Sequence, residues 1–444
     1  MRFSVGEIAE ITGGKLLFGN KDEICGNVFT DSREKTENGL FIPLKGEKFD
    51  GHDYILSAVE NGASGYLTEK ETDVEASFAV LVDDTKKALG KLAKYALKKS
   101  GVKVIAVTGS VGKTTTRQFI ASIISQMGKT LVTIKNFNND IGLPLTVLSM
   151  DGDEKYAVLE IGMNNFGEIS YLSDMIAPDI GVITMIGMSH IENLVSRENI
   201  FHAKMEILDG MKKDGVLFVN GDDDFLKTVP ENYEIKTEFF GFENGKYSLE
   251  IISDSEFIYG GEKYKINISG KHNIINASCA ISIAKYLGAE RELIQKGLDS
   301  FENIGLRQEI CNVGNKEIIV DCYNASLDSF KASLSVLSAR TAKRKVAILG
   351  AIGELGSFME EILIKVGEEA YLSMTDLLIV CGEFSDIIKK GAIGAGMDKG
   401  KILEFPDKTK LINNINDILK DGDCVLIKAS RKYKFEEIFE AVKP

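Results

Sequence analysis

The stretch KVIAVTGSVGKTTTRQFIASII, residues 103–124, decides how the rest of the chain is read. An apolar, β-branched run leads into a glycine-bearing turn, and the turn leads directly into a segment of helical period. Such a junction gathers successive backbone N–H groups and a helix N-terminus around one point, where a phosphate is favourably held. The cradle comprises Gly109, Ser110, Val111, Gly112, Lys113, Thr114 and Thr115. Lys113 is placed to neutralise the β- and γ-phosphates of ATP, and Thr114 to offer its hydroxyl to Mg²⁺. The full phosphate-loop pattern has glycine where this chain has Val107, so an ordinary strand-to-helix turn is the competing interpretation.

Strand, loop and helix in that order open an α/β domain with a parallel sheet. Downstream, YAVLEIG (156–162), DIGVITMIG (179–187) and GVLFVNGD (215–222) read as further buried strands, with helical segments near 190–213. A strand-rich insert is expected at 233–268, then a helix over NIINASCAISIAKYLG (273–288). From 305 the pattern restarts, with EIIVDCYNAS (317–326), KVAILGAIG (345–353), DLLIVCG (376–382) and CVLIKAS (424–430) as strands alternating with helices. Upstream, LFIPL (40–44) and FAVLVDD (78–84) read as strands, and a helix over 84–100 ends at Gly101. Three α/β domains are expected: 1–100, 101–304 with the phosphate loop and a parallel sheet, and a Rossmann-like 305–444.

The formal charge of −13 gives no electrostatic footprint for nucleic acid or an anionic membrane surface, so phosphate-rich ligands need local positive sites. The six cysteines lie far apart, without metal-ligand or disulfide spacing, and read as reduced structural thiols. The N-terminus lacks a secretory pattern and no apolar run approaches a membrane span, which points to a cytoplasmic protein. A monomer is expected.

A phosphate loop needs a metal partner, and Glu160 at the end of a neighbouring strand is the candidate; alone, it reads equally well as a solvated strand-end acid. His190, in the loop after 179–187, can ligate a metal or position a phosphate, though an isolated histidine is more often a plain surface residue. Asn138 and Asn139 are either nucleotide-orienting groups or polar turn residues.

Taken together, these segments resemble the Mur ligase family in order along almost the whole chain. TDSREKTENGLFIPLKGEKFDGHDYI (30–55) resembles the UDP-sugar segment of the branch that adds D-alanyl-D-alanine to UDP-N-acetylmuramoyl-tripeptide. That resemblance implies that Ser32, Arg33, Lys45, Gly46, Asp50, Gly51 and His52 lie near the UDP-muramoyl end. NFNNDIGLPLTVL (136–148) is similar to the signature of the same branch. LEIGMNNFGEIS (159–170) and MIGMSHIEN followed by NIFHAKMEIL (199–208) resemble the metal-site elements. They imply that Glu160 and Thr114 hold one Mg²⁺, and that His190 with a carbamylated Lys204 holds a second. SGKHNIINASCAISIA (269–284) resembles the nucleotide-base segment, so Asn273 and Asn276 are implied near adenine, though either also reads as a helix cap. Arg307 and Asp321 are implied near the ATP phosphates and ribose. The implied substrates are ATP, the UDP-peptide and the dipeptide, joined through an acyl phosphate.

The resemblance thins in the last third. The family writes YNANP, GDMLELG and KGSR where this chain has YNASL, GAIGELG and KASR, and a histidine usual after ELG is replaced at about Leu363. A paralogue with another acceptor, or a nucleotide-binding partner without ligase activity, is the alternative that these departures leave.

Overall fold

The computed structural model describes residues 1–443. Its centre is a six-stranded, all-parallel sheet in the order 236–240, 216–220, 180–183, 103–108, 156–160, 130–132. The strand Lys103–Thr108 alternates faces in the way a doubly covered strand must. Ile105 and Val107 pack with Phe119 and Ile120 of the helix Lys113–Ile124 and with Ala277 and Ile281 of the helix Lys271–Tyr286. Val104 and Ala106 face the opposite layer with Leu89 and Ala93 of the helix Thr85–Ser100 and with Leu143 of Gly142–Leu148. From 103–108 the chain first builds sheet on one side, then crosses to the other. The carboxyl end of 103–108 therefore lies at a topological switch point, where open α/β sheets form a ligand crevice.

The helix Thr85–Ser100 is built to join lobes. Asp84 caps it by accepting from the Lys87 N–H at 2.9 Å, and Gly101 stops it in the left-handed region at φ 66°. Lys99 pairs with Glu7 of the first lobe at 2.8 Å, while Lys86 and Lys94 reach Asp140 and Asp174 of the central lobe at 2.6 and 2.7 Å. These exposed pairs set orientation; the buried alanine and leucine faces supply the cohesion. The first lobe carries a five-stranded sheet in the order 15–18, 78–81, 63–68, 39–41, 28–29, parallel except at the 15–18 edge.

The third lobe has a six-stranded sheet in the order 309–313, 316–320, 423–428, 344–349, 377–381, 402–405. Only the hairpin partner 309–313 runs antiparallel. The edge strands Glu309–Val313 and Ile402–Phe405 escape a sequence reading because half-exposed edges lack a continuous apolar run. The expected insert at 233–268 divides in two. Lys236–Phe240 is the sixth strand of the central sheet, and only 249–265 folds as a separate three-stranded antiparallel sheet. Among the described residues no helix is long and apolar enough to cross a membrane.

In the third lobe the helices Met359–Leu372 and Ser385–Ala395 cross backbone to backbone at two glycines. A Cβ on Gly367 would lie 2.0 Å from the Ile388 carbonyl oxygen, and one on Gly391 2.0 Å from that of Ile364. The crossing fixes the loop 350–358 that enters this helix pair and faces the central lobe. Gly391→Ala is expected to destabilise the protein by about 1–3 kcal/mol, the usual cost of overpacking. Urea unfolding monitored by circular dichroism measures it, and an unchanged midpoint contradicts the tight crossing.

Candidate functional site

The phosphate loop leaves the sheet at the switch point and is held from behind by the neighbouring strand. Ser110 N–H donates to the Met185 carbonyl at 2.9 Å, and the Thr184 hydroxyl donates to the Val111 carbonyl at 2.5 Å. Gly109 at φ 145° and Gly112 at φ 88° adopt backbone that side chains rarely tolerate. A Cβ on Gly109 would fall 1.9 Å from the Thr184 hydroxyl, and one on Gly112 would crowd Asn276 at 2.8 Å. The loop is thus pressed between the sheet and the helix 271–286.

Glu160 is buried at the end of its strand, and both of its carboxylate oxygens are engaged. One accepts the Thr114 hydroxyl at 2.9 Å and the other the Asn138 amide at 2.9 Å. The Thr133 hydroxyl accepts from its backbone N–H at 2.7 Å, locking the strand end. Asn138 therefore anchors Glu160, while Asn139 accepts from Gly142 N–H at 2.8 Å ahead of the next helix, and both line the same hollow as Glu160. Lys113 folds back on its own loop and donates to the Gly109 carbonyl at 2.8 Å. It keeps a surface open to the cleft, yet burial pushes its ammonium below the usual lysine range, with Glu160 opposing the shift.

Lys204 lies on the helix Arg197–Met205, which Ser196 caps through the Asn199 N–H at 3.0 Å. Its side chain is 1% exposed and forms no ion pair with a described residue. Burial, reinforced by the positive charge of Lys113, drives its pKa well below that of an ordinary lysine. His190 occupies a left-handed position at φ 64°, and its Nδ1 lies 2.8 Å from a carboxylate oxygen of Glu354 in the third lobe.

Lys113, Thr114, Glu160, His190 and Lys204 wall one hollow, as the sequence grouping anticipates. A second hollow of about 610 Å³ opens from it into the third lobe, between Ser189 and His190 on one side and Tyr323, Ser326, Gly353 and Arg431 on the other. A third, behind Gly112 and Thr115, collects Asn273, Asn276, Arg307 and Asp321. Asn273 is no helix cap: its amide donates to Ser269 O at 2.8 Å and to Gln308 at 3.1 Å, tying the helix to the third lobe. The Arg307 guanidinium stacks 4.0 Å over the Tyr323 ring. Asp321 is paired with the fully buried Lys428 at 2.5 Å and accepts from Ser333, and the Lys428 ammonium holds its carboxyl below the usual carboxylate range against the opposing effect of burial. Tyr323, Gln308, Lys428 and Glu354 join the site without having been assigned roles from sequence; all four lie in or beside the YNAS, GLRQE, KASR and GELG segments.

The first-lobe string gathers in loops after the parallel strands 28–29 and 39–41, apart from the three hollows. Arg33 is exposed and forks onto Asp31, holding that carboxyl down at about 2. The backbone carbonyl of Ser32 accepts from Asn61 at 2.9 Å, and Lys45, beside Gly46, pairs with Glu69. His52 is held inside this loop region. Its ring is buried, with Nδ1 2.6 Å from Asp50 and Nε2 accepting from Glu69 N–H at 3.2 Å, so both nitrogens serve the loop itself. Gly51 likewise packs on the Leu44 backbone, where a Cβ would approach to 2.6 Å.

Comparison with known proteins supplies the family. Residues 26–113 match the Mur ligase family catalytic domain, 107–284 the Mur ligase middle domain, and 307–431 the Mur ligase glutamate ligase domain. The UDP-N-acetylmuramoyl-tripeptide--D-alanyl-D-alanine ligase of Bacillus subtilis is 38% identical, over 98% of this chain and 97% of its own length. The crystal structure of MurF from Acinetobacter baumannii superposes with a TM-score of 0.90 at 29% identity, covering 100% of this chain and 99% of that one. MurF from Thermotoga maritima in complex with ADP gives 0.83 at 29% identity, over 94% and 97% of the two chains. The phosphate loop at the switch point, the acid and lysine that share its hollow, and matches running from residue 26 to residue 431 agree: this chain belongs to the Mur ligase family.

Proposed function

We propose that this chain is an ATP-dependent amide-bond ligase that adds D-alanyl-D-alanine to UDP-N-acetylmuramoyl-tripeptide, a step in building peptidoglycan precursors. The full-length relative in Bacillus subtilis carries that activity in its name. The observation that carries the reading here is the single hollow walled by Lys113, Thr114, Glu160, His190 and Lys204, open on one side to a larger cavity in the third lobe. With domains taken as 1–100, 101–304 and 305–444, the UDP-muramoyl moiety is assigned to the first, ATP to the second and the incoming dipeptide to the third. ATP and a UDP-linked sugar are cytoplasmic pools, which sets the reaction there.

The reaction replaces a poor leaving group with a good one. An oxygen of the tripeptide's terminal carboxylate attacks the γ-phosphorus of ATP, the bond to the β-bridging oxygen breaks, and ADP leaves an acyl phosphate. The dipeptide amine attacks the acyl carbon, loses a proton, and the tetrahedral intermediate collapses to the amide and inorganic phosphate. Lys113 and the loop N–H groups from Gly109 to Thr115 hold the phosphates and counter the charge that develops on the transferred oxygens. Asn273, Asn276, Arg307 and Asp321 line the hollow assigned to adenosine and ribose. Ser32, Arg33, Lys45, Gly46 and Asp50 are assigned to the UDP end, with His52 and Gly51 shaping their loop. Docking of the lobes shields the acyl phosphate from water.

The donor set suits Mg²⁺ at one position as it stands. The buried Thr114 hydroxyl and Glu160 carboxylate, 2.9 Å apart, are the hard oxygen ligands that Mg²⁺ prefers. His190 with Lys204 fits a second ion only if the lysine changes sign. An ammonium repels a cation, but a buried amine of depressed pKa is the nucleophile that adds to CO₂, giving an anionic carbamate and a released proton. Bound there, Mg²⁺ supplies charge neutralisation between the carboxylate and the γ-phosphate.

Lys113→Ala is expected to cut product formation by about 10²–10³-fold or more, as loss of a main electrostatic stabiliser does. UDP-tripeptide binding measured by calorimetry stays in place, and normal turnover contradicts the assignment. Lys204→Ala is expected to lose comparable activity and to regain part of it with millimolar formate or acetate; full activity without the acid contradicts the carbamate. Phosphate release with ATP, Mg²⁺ and UDP-muramoyl-tripeptide, measured across D-amino acids and dipeptides, is expected to depend on D-alanyl-D-alanine. Release that depends on a different acceptor overturns the substrate assignment.

A further inference from the structure

The loop 350–358 of the third lobe places an acid against the proposed metal-site histidine. Glu354 comes from a different lobe and from the far side of the cleft, yet its Oε2 lies 2.8 Å from His190 Nδ1. Both residues hold left-handed backbone, Glu354 at φ 59° and His190 at φ 64°, and neither is a glycine. Non-glycine residues seldom adopt that region, and they persist there where the surroundings require the conformation. The surroundings here are specific. Glu192 N–H reaches the Glu354 carbonyl at 3.4 Å, and Gly356, at φ 51°, packs against the Glu192 side chain. Two strained turns from separate lobes thus face each other, and the side chains they present meet at His190.

We infer that Glu354 is a positioning residue whose carboxylate, delivered by docking of the third lobe, fixes His190 as the Nδ1–H tautomer and leaves Nε2 free as a ligand. The inference rests on the metal role assigned to His190 above. A histidine ligand is generally oriented by an acceptor on its second nitrogen, and loss of that acceptor lowers metal affinity about 10–100-fold. The approach at Nδ1 is short but bent away from the direction of a full hydrogen bond, and no other described group pairs with that nitrogen. The metal site would then be completed only in the docked arrangement. Lobe closure and metal binding share one atom pair.

The chain has only four histidines, so ¹⁵N-histidine labelling reads each ring separately by long-range proton–nitrogen correlation. The full-length protein is expected to show His190 as the Nδ1–H tautomer before any metal is added. Glu354→Gly, which accepts the left-handed backbone without strain, is expected to lose that tautomer and to weaken Mn²⁺ binding in the presence of a non-hydrolysable ATP analogue by about 10–100-fold. Glu354→Gln keeps an acceptor oxygen and is expected to recover most of both. An unchanged His190 signal in Glu354→Gly overturns the inference, as does Glu354→Gln behaving like the glycine variant. If the tautomer shifts while Mn²⁺ affinity holds, the coupling to the metal fails at His190's assigned role and not at the Glu354 contact. Thermal melts of both variants confirm that the fold is retained, and the exposed Glu354 side chain makes this the expected result.

Discussion

Two lysines held close together without a carboxylate partner of their own are the constraint around which the site is arranged. Lys113 shifts its pKa downward mainly through burial, and Lys204 does so through burial and the charge of Lys113. Leaving positive charge in a low-dielectric interior costs several kcal/mol per ion unless something negative arrives. The two ammonium groups therefore call for negative charge beside them. In the proposed reaction a triphosphate relieves Lys113, and a carbamate would convert Lys204 from a repulsive group into an anionic one. The same electrostatics explain why a chain of net charge −13 attracts polyanionic substrates: the positive groups are few, local and aimed into one hollow.

That electrostatic demand can be met only if the scaffold is stiff where the phosphates sit and adjustable around them. The stiffness comes from the doubly covered strand 103–108 and from the second strand, whose Thr184 and Met185 hold the loop. Around it, the first lobe is joined through the buried faces of the helix Thr85–Ser100, and the third lobe meets the centre with polar contacts at the cleft. Asn273 to Gln308, His190 to Glu354, and Arg340 to Ser269 at 3.2 Å all join the central and third lobes at the rim of the cleft. Buried apolar layers thus set the fold, while polar contacts at the junctions set the catalytic geometry.

The central sheet was legible in sequence because its strands are buried on both faces and read as unbroken apolar runs. Edge strands were not: Glu309–Val313 and Ile402–Phe405 are half exposed, and Lys236–Phe240, which begins with charged and polar residues, reads as part of the strand-rich insert and not of the central sheet. For the site, Lys113, Thr114 and Glu160 follow from motifs at strand ends, where backbone geometry fixes the side-chain direction, whereas His190 and the helical Lys204 join them only through the family resemblance. Contacts between lobes have no local signature. Glu354 sits in a GELG segment whose departure from the family pattern drew attention to the acceptor, yet its nearest partner is a histidine of another lobe. His52 shows the converse: a motif residue whose burial reserves both ring nitrogens for its own loop.

The central claim is that the γ-phosphoryl group passes to the donor carboxylate within the hollow, and that the dipeptide amine then displaces it. UDP-muramoyl-tripeptide carrying ¹⁸O in its terminal carboxylate tests this most directly when turned over with ATP and D-alanyl-D-alanine. One labelled oxygen is predicted to appear in each inorganic phosphate released, with the other kept in the amide carbonyl. Phosphate formed at the same rate without label would contradict the account, because it would show that water, and not the carboxylate, received the phosphoryl group.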